Sequence, residues 1–285
     1  MHLPKISVVT PSFNQGHFIE DTILSVLNQS YQNLEYIIID GGSTDGTTQI
    51  VEKYGPQLEY WVSEQDSGQS NAINKGFSKA EGDILAWINS DDYYLPGTLR
   101  FVADQLKTGE REILFGNCVH LFDGNGLLGS DVVSAFNCCD LRLVDFIIQP
   151  SSFWTREAWE ANGPLNERLT YAFDWEWFLR AQAKGIPLRA VGRYLSVYRK
   201  HKDHKTGVGG RRRAEEVARL FEEYEGRKVA NLYLYLYDKG DSVRAFRRRI
   251  RRFHLTRMER FLFKWAYPGT RKFSWGVLNQ ILRWI

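Results

Sequence analysis

Cysteine is scarce: Cys118, Cys138 and Cys139 are the only three in 285 residues. Two are adjacent and none falls at a metal-ligand spacing. That argues against a disulfide framework and a Cys-based metal site, and for a reducing, cytoplasmic setting. The chain also lacks an apolar run of about 18 residues, so no membrane-spanning helix is expected. Its first residues carry no apolar signal region. No nucleic-acid-binding motif is present, and nucleic acid is not an expected partner. What remains is an ordinary globular composition, 43% hydrophobic and 25% charged, long enough for one large domain or a domain with an appendage. Charge is the uneven quantity. The net +3 divides into +10 over residues 240–285, where twelve Lys or Arg face only Asp241 and Glu259, and 3 − 10 = −7 over the first 239. An acidic globule with a basic tail speaks of location rather than chemistry.

The informative stretch runs from Asp83 to Asp92 (DILAWINSDD). Ile84 to Ile88 is short and apolar on both faces, the mark of a buried parallel strand. It stops at Asn89-Ser90-Asp91-Asp92, and the carboxyl end of such a strand is where an open α/β sheet binds ligands. Adjacent carboxylates repel, so a cation or a well-hydrated surface has to offset them. Hard oxygen ligands of this sort suit Mg²⁺ or Mn²⁺ holding a phosphate. A solvated turn is the plainer alternative. Upstream, Lys5–Thr10 (KISVVT) and Glu35–Asp40 (EYIIID) read as strands and Leu58–Val62 as a weaker one, each followed by a helical stretch. This alternation predicts βαβ units and a parallel sheet. Its strand ends share one rim, so Thr10-Pro11-Ser12, Asp40 and Asp91-Asp92 are expected to meet there, beside helix N-termini that favour anions. The loop Asp40–Gly46 could instead be a bare turn; lacking a twelfth-position Glu, it is not an EF-hand.

Ser7–Asn14 (SVVTPSFN), Ile39–Thr47 (IDGGSTDGT) and Gly82–Asp92, in this order within residues 5–206, resemble the family 2 inverting glycosyltransferases of the GT-A fold. The resemblance implies an α/β, Rossmann-like, mostly parallel sheet flanked by helices. It implies a nucleotide-diphospho-sugar donor, a UDP-sugar favoured, and a glycan or lipid-linked acceptor, in bacterial surface-polysaccharide or lipopolysaccharide assembly. Mg²⁺ or Mn²⁺ is the implied cofactor, with Asp92 and His201 as its ligands and Asp91 reaching the ribose or the metal. Donor contacts fall to Thr10, Pro11, Ser12, Asp40, Asp66, Asn71 and Asp91, and acceptor contacts to Gln149 and Trp175. Two positions depart from the pattern: Gly41 and Asn89 stand where many relatives have Asp. The second leaves one carboxylate fewer, so a single metal with few protein ligands is expected. The expected division is a transferase domain over 1–208, with a nucleotide-sugar half (1–97) and an acceptor half (98–208), and a basic helical region over 209–285. Within the acceptor half, a helix around Leu99–Leu106, a strand over 112–121, a tight turn at 123–126 and a helix at 157–161 are predicted. Asp131–Asp145 shows no clear pattern.

Displacement at an anomeric carbon needs a group to take the acceptor hydroxyl's proton. Tyr171–Arg180 (YAFDWEWFLR) reads as a buried helix with Asp174 near its start, a costly charge unless used or paired. The resemblance points to Asp174 as the base, with Phe173 standing where many relatives have a second acid. An N-cap role is the alternative. Glu176 fits better as the partner of Arg180, four residues on. His201 could equally lie in a solvated basic loop, and Lys200–Arg213 reads as a flap that orders over the donor, with His204 where relatives often have Ser. In the tail, Val243, Phe246, Ile250 and Phe253, then Met258, Phe261, Leu262 and Trp265, form an apolar stripe among arginines. That is the pattern of a helix lying on an anionic membrane surface, and a peripheral position on the inner face follows. A helical pack with a solvated Arg face competes with it. Two rival functions stand: a non-catalytic nucleotide-sugar or membrane-binding protein, and a nucleotidyltransferase, whose Gly-rich, Lys/Arg-bearing first loop is missing after Thr10.

Overall fold

A computed structural model describes residues 3–122, 126–201, 205, 209–253 and 255–285. The described chain forms two compact units, residues 1–137 with 147–207, and residues 138–146 with 208–285. The first opens with β1 (Ile6–Ser12), α1 (Ile19–Leu27), β2 (Leu34–Asp40), α2 (Thr47–Tyr54), β3 (Tyr60–Ser63), α3 (Gln69–Phe77) and β4 (Ile84–Trp87). It continues through β5 (Tyr93–Tyr94), α4 (Thr98–Gln105), β6 (Ile113–Phe122), β7 (Gly126–Gly129), α5 (Val132–Cys138), β8 (Ser152–Thr155), α6 (Arg156–Asn162), α7 (Phe173–Ala183) and β9 (Leu188–Lys200). The predicted tight turn at 123–126 falls largely on residues 123–125, outside those described.

The nine strands form one sheet in the order β3-β2-β1-β4-β8-β6-β9-β5, with β7 on β6. Parallel pairing is continuous from β3 to β4. Beyond β4 it gives way to antiparallel pairs, apart from β6 with β9. The first half is therefore wound from βαβ units, and the second is a mixed addition to its edge. β4 sits at the junction and is buried along its whole length. Its alternate residues serve two cores. Ile84, Ala86 and Ile88 join Ile6, Val8, Tyr36 and Ile38 in an aliphatic core that includes α1 residues Ile19, Ile23 and Val26. Trp87, on the other face, meets Trp154 and Phe77 with ring centroids 5.2 and 6.3 Å away, and Trp177 lies 4.8 Å from Trp154. Each such ring buries on the order of 150–250 Å², so one aromatic cluster joins α3 and α7 to β4 and β8.

The second unit contains α8 (Gly210–Glu225), α9 (Arg227–Asp238), α10 (Gly240–Arg252), α11 (Glu259–Ala266) and α12 (Trp275–Ile281). Residues 138–146, unassigned by pattern, belong to it: Asp140 N–H donates to Gln280 and Trp284 Nε1 to the Leu143 carbonyl, both within 2.8 Å. No described helix is long and apolar enough to cross a membrane.

Candidate active site

The parallel register fixes which residues share the rim. Ser12 pairs with Asp40 and Asp40 with Ser63, while Val9 pairs with Trp87 one step before Ile88-Asn89. The strand ends expected to meet do so. Their side chains have different fates.

Thr10 is fully buried, its Oγ1 3.1 Å from the Tyr36 hydroxyl. Pro11 is buried, as is Ser12, whose Oγ has no hydrogen-bond partner among the described residues. Asp40 is fully buried and organises the loop after β2. Its Oδ2 accepts from the Gly42 and Ser43 N–H groups at 3.1 and 2.9 Å and from Ser63 Oγ at 2.6 Å. Its Oδ1 accepts from Ser43 Oγ at 2.5 Å. Four donors fill a carboxylate's capacity. The loop turns at Gly42, whose φ of +83° favours glycine. Gly41 has a different reason to lack a side chain: a Cβ there would lie 2.8 Å from Asp66 Oδ2. The position that carries Asp in many relatives is here pressed against Asp66, which accepts from the Gly68 N–H at 2.7 Å. Asn71 bridges the Ser67 N–H and Glu167.

The loop after β4 is assembled by long-range partners. Asn89 donates to Gln149 Oε1 at 3.3 Å and to Asp92 Oδ2 at 3.4 Å, and accepts from Gln69 Nε2 at 2.7 Å. Gln149 Nε2 donates to the Trp87 carbonyl at 2.8 Å, and Lys205 Nζ donates to Gln69 Oε1 at 3.0 Å. Only an amide can give and receive in this way, which gives Asn89 a reason to replace Asp. The two adjacent aspartates face opposite ways. Asp91, half-buried, lies 3.1 Å from His201 Nε2. Asp92 is 0% exposed and its Oδ1 accepts the Arg199 N–H at 2.9 Å. Burial and the neighbouring Asp91 drive its carboxyl well above the ordinary carboxylate range. Asp92, expected among the metal ligands, is thus closed off from solvent and pins the end of β9.

That end of β9 is further clamped through Arg199, 7% exposed. Its guanidinium lies 4.9 and 5.3 Å from the ring centres of Phe18 and Tyr93 and 3.0 Å from Asp21. Phe18 in turn packs against His201, with ring centroids 4.6 Å apart and the planes tilted by 39°. Phe173 packs 6.4 Å from Trp87 and 5.5 Å from Lys205 Nζ, bringing the start of α7 to the end of β4. Asp174 is half-buried in the first turn of α7; the N-cap is Ala172. Glu176 pairs with Arg180 at 2.8 Å. The two residues expected to meet an acceptor are both buried, Gln149 at 6% and Trp175 at 1% exposure. α7 is apolar on most sides, so helical periodicity alone could not tell which face would be covered. Residues 202–204 and 206–208 of the expected flap, with His204, lie outside the described residues. Gln69, Lys205 and the Phe18–Arg199 clamp went unread in the sequence because no local pattern joins them.

The family model described as glycosyl transferase family 2 matches residues 7–138. Residues 7–138 thus match a family 2 glycosyltransferase domain. Among similar proteins, the putative teichuronic acid biosynthesis glycosyltransferase TuaG of Bacillus subtilis is 35% identical over 131 residues, 45% of this chain and 49% of that one. The GalNAc(5)-diNAcBac-PP-undecaprenol beta-1,3-glucosyltransferase of Campylobacter jejuni is 31% identical over 127 residues, 43% and 41% of the two chains. These alignments span about half or less of the curated relatives. Two solved structures share the fold. Staphylococcus aureus TarS 1-349 with UDP-GlcNAc has a TM-score of 0.61 at 18% identity, covering 79% of this chain and 70% of that one. The Pyrobaculum calidifontis mannosyltransferase PcManGT, in complex with GDP-Man and Mn²⁺, has a TM-score of 0.60 at 20% identity, covering 78% and 64%.

Proposed function

We propose that the enzyme is a metal-dependent, inverting glycosyltransferase that moves a sugar from a nucleoside-diphosphate donor, a UDP-sugar by preference, to an acceptor hydroxyl. The observation that carries this reading is the convergence of Asp91 and His201 to 3.1 Å, on the carboxyl rim of the parallel strands. Lys205 is tied into the same rim through Gln69. The donor's base and ribose would lie along Thr10-Pro11-Ser12, Asp40, Asp66 and Asn71. Two solved structures of the same fold hold UDP-GlcNAc and GDP-Man with Mn²⁺, which supports a donor of this class.

An Asp oxygen facing an imidazole nitrogen suits Mn²⁺ or Mg²⁺, ions that take one or two protein ligands and complete their shell with phosphate and water. No three His, Cys, Asp or Glu form a cage among the described residues. We therefore assign the metal to Asp91 and His201, with Asp92 as the buried bracket behind them. Bound there, the ion would neutralise charge on the leaving diphosphate. Lys205 adds a cation to that side. Asp174 takes the proton of the acceptor hydroxyl as its oxygen bonds to the anomeric carbon; the bond from that carbon to the diphosphate breaks on the opposite face, and an α-linked donor gives a β-linked product.

Asp174→Asn should lower transfer by about 10²–10⁴-fold, the usual worth of a general base, while leaving UDP binding intact. His201→Ala should weaken Mn²⁺ binding, read by calorimetry in the presence of UDP. Full transfer by Asp174→Asn would sink the assignment. For the acceptor, the C. jejuni relative's name specifies an undecaprenol-linked glycan, which supports a lipid-linked glycan in surface-polysaccharide assembly. The +10 charge of residues 240–285 supports a peripheral position on the anionic inner face of the membrane.

A further inference from the structure

In sequence the basic tail is one continuous amphipathic stripe. The structure divides it. On α10, Val243 and Ile250 are buried at 1% and 4% exposure. Phe246 packs 5.8 and 5.7 Å from Phe263 and Tyr267. The apolar side of α10 thus belongs to the second unit's own core. Downstream the relation reverses. Phe253, Met258, Phe261 and Trp265 are 65, 49, 70 and 71% exposed. Met258, Phe261 and Trp265 stand at i, i+3 and i+7 and share one side of α11 and its entry, whereas Phe263 is fully buried. Clustered exposed aromatics of this kind mark a surface that something covers.

The charge around this edge selects the occupant. Arg257 and Arg260 are exposed. On α10, Arg247 is held by Glu259 and Arg244 by Asp241. Arg248, Arg249, Arg251 and Arg252 are exposed and have no carboxylate partner among the described residues. Bare aromatic rings and unneutralised guanidinium groups in consecutive helices match a surface that is apolar within and anionic at its boundary.

We propose that residues 253–265 are the edge that enters an anionic lipid bilayer. Phe253, Met258, Phe261 and Trp265 reach the headgroup–acyl boundary, and the free arginines of α10, with Arg257 and Arg260, rest on lipid phosphates. This builds on the peripheral-membrane reading above and names the residues that make the contact. It also removes Val243, Phe246 and Ile250 from that contact.

The test is co-sedimentation of the full chain with vesicles of phosphatidylglycerol and phosphatidylcholine, or of phosphatidylcholine alone. Wild type should bind the anionic vesicles only. Phe261→Asp/Trp265→Asp should weaken that binding by about tenfold or more with an unchanged circular dichroism spectrum. Trp265→Phe should keep the binding. Arg248→Glu/Arg252→Glu should weaken it and reduce its salt dependence. The proposal is overturned if wild type ignores anionic vesicles, binds neutral ones equally, or shields this edge by self-association without lipid. It is equally overturned if the Phe261→Asp/Trp265→Asp variant, folded, binds as wild type does. Asp174→Asn removes transfer and leaves vesicle binding, so failure of the catalytic reading is seen separately.

Discussion

Asp40 and Asp92 are both fully buried carboxylates at neighbouring strand ends, and their surroundings could hardly differ more. Asp40 has four donors, all from its own loop or the adjacent strand end. Asp92 has one short partner, the Arg199 N–H at 2.9 Å, and a longer contact from Asn89 at 3.4 Å. It also sits beside a second carboxylate, Asp91. Asp40 is therefore satisfied by local geometry. Asp92 depends on two segments distant in sequence, and its neighbour Asp91 turns outward toward His201. A pair of adjacent acids has been divided into one that holds the fold and one that faces the site. The loop after β2 is tied within itself; the loop after β4 is tied to β9.

Breaking the satisfied carboxylate should cost most. Asp40→Ala leaves two N–H groups and two hydroxyls without their acceptor, and should lower unfolding free energy by about 3 kcal/mol. Urea titration is the check, and a loss well under 1 kcal/mol would mean that the loop is held by something else. Asp92 should split its variants. Asp92→Ala strands the Arg199 N–H and should cost about 1–3 kcal/mol. Asp92→Asn keeps an acceptor and removes a buried charge, so its melting temperature should equal or exceed that of wild type. If Asp92→Asn instead abolished Mn²⁺ binding without altering stability, the metal would belong to Asp92 and the division drawn above would be wrong.

β1, β2 and β4 were legible because β1 and β2 are short β-branched runs and β4 a short all-apolar one, each closed by a polar residue, while β3 holds a single β-branched residue and reads more weakly. The rim followed from topology: in parallel pairing Ser12, Asp40 and Asn89 must face one way. Which of two adjacent acids turns inward was not legible. That depends on β9 arriving antiparallel to β5 and supplying the Arg199 N–H 107 positions later. The chain from Lys205 through Gln69 to Asn89 and Gln149 links residues up to 136 apart, and neutral amides carry no pattern that announces a site. The burial of Trp175 was illegible for a related reason. A helix apolar on most sides does not say which aromatic is covered, and here nearly all are. The tail's stripe was visible as a period, but a period does not tell which half the unit's own core consumes.

A third buried carboxylate tests whether compensation by a formal cation behaves differently. Glu35 is 1% exposed, at the opposite end of β2 from Asp40. Lys5 Nζ lies 2.6 Å from its Oε1, while Ser7 Oγ and the Glu81 N–H donate to Oε2. Burial works to raise the carboxyl, but the hydrogen bonds from Lys5, Ser7 and Glu81 outweigh it and hold it below its ordinary value. A carboxyl with a lowered folded-state value stabilises the fold above the unfolded value, about 4.3, and loses that contribution as pH falls through the folded value. Lys5 shifts upward, chiefly through its hydrogen bond to Glu35, so its share is present below its unfolded value, about 10.4, and is lost as pH rises beyond it. The contribution of this pair should therefore hold steady across neutral pH and fall below about pH 4.3. Glu35→Gln should flatten that acid limb and cost about 1 kcal/mol at pH 7, the smallest effect of the three because Lys5 is partly solvated and its ion pair is correspondingly screened. An acid limb equally steep in Glu35→Gln would move the origin of the acid sensitivity to other carboxylates, Asp45 and Asp140 first, whose carboxyls are also held below their ordinary value.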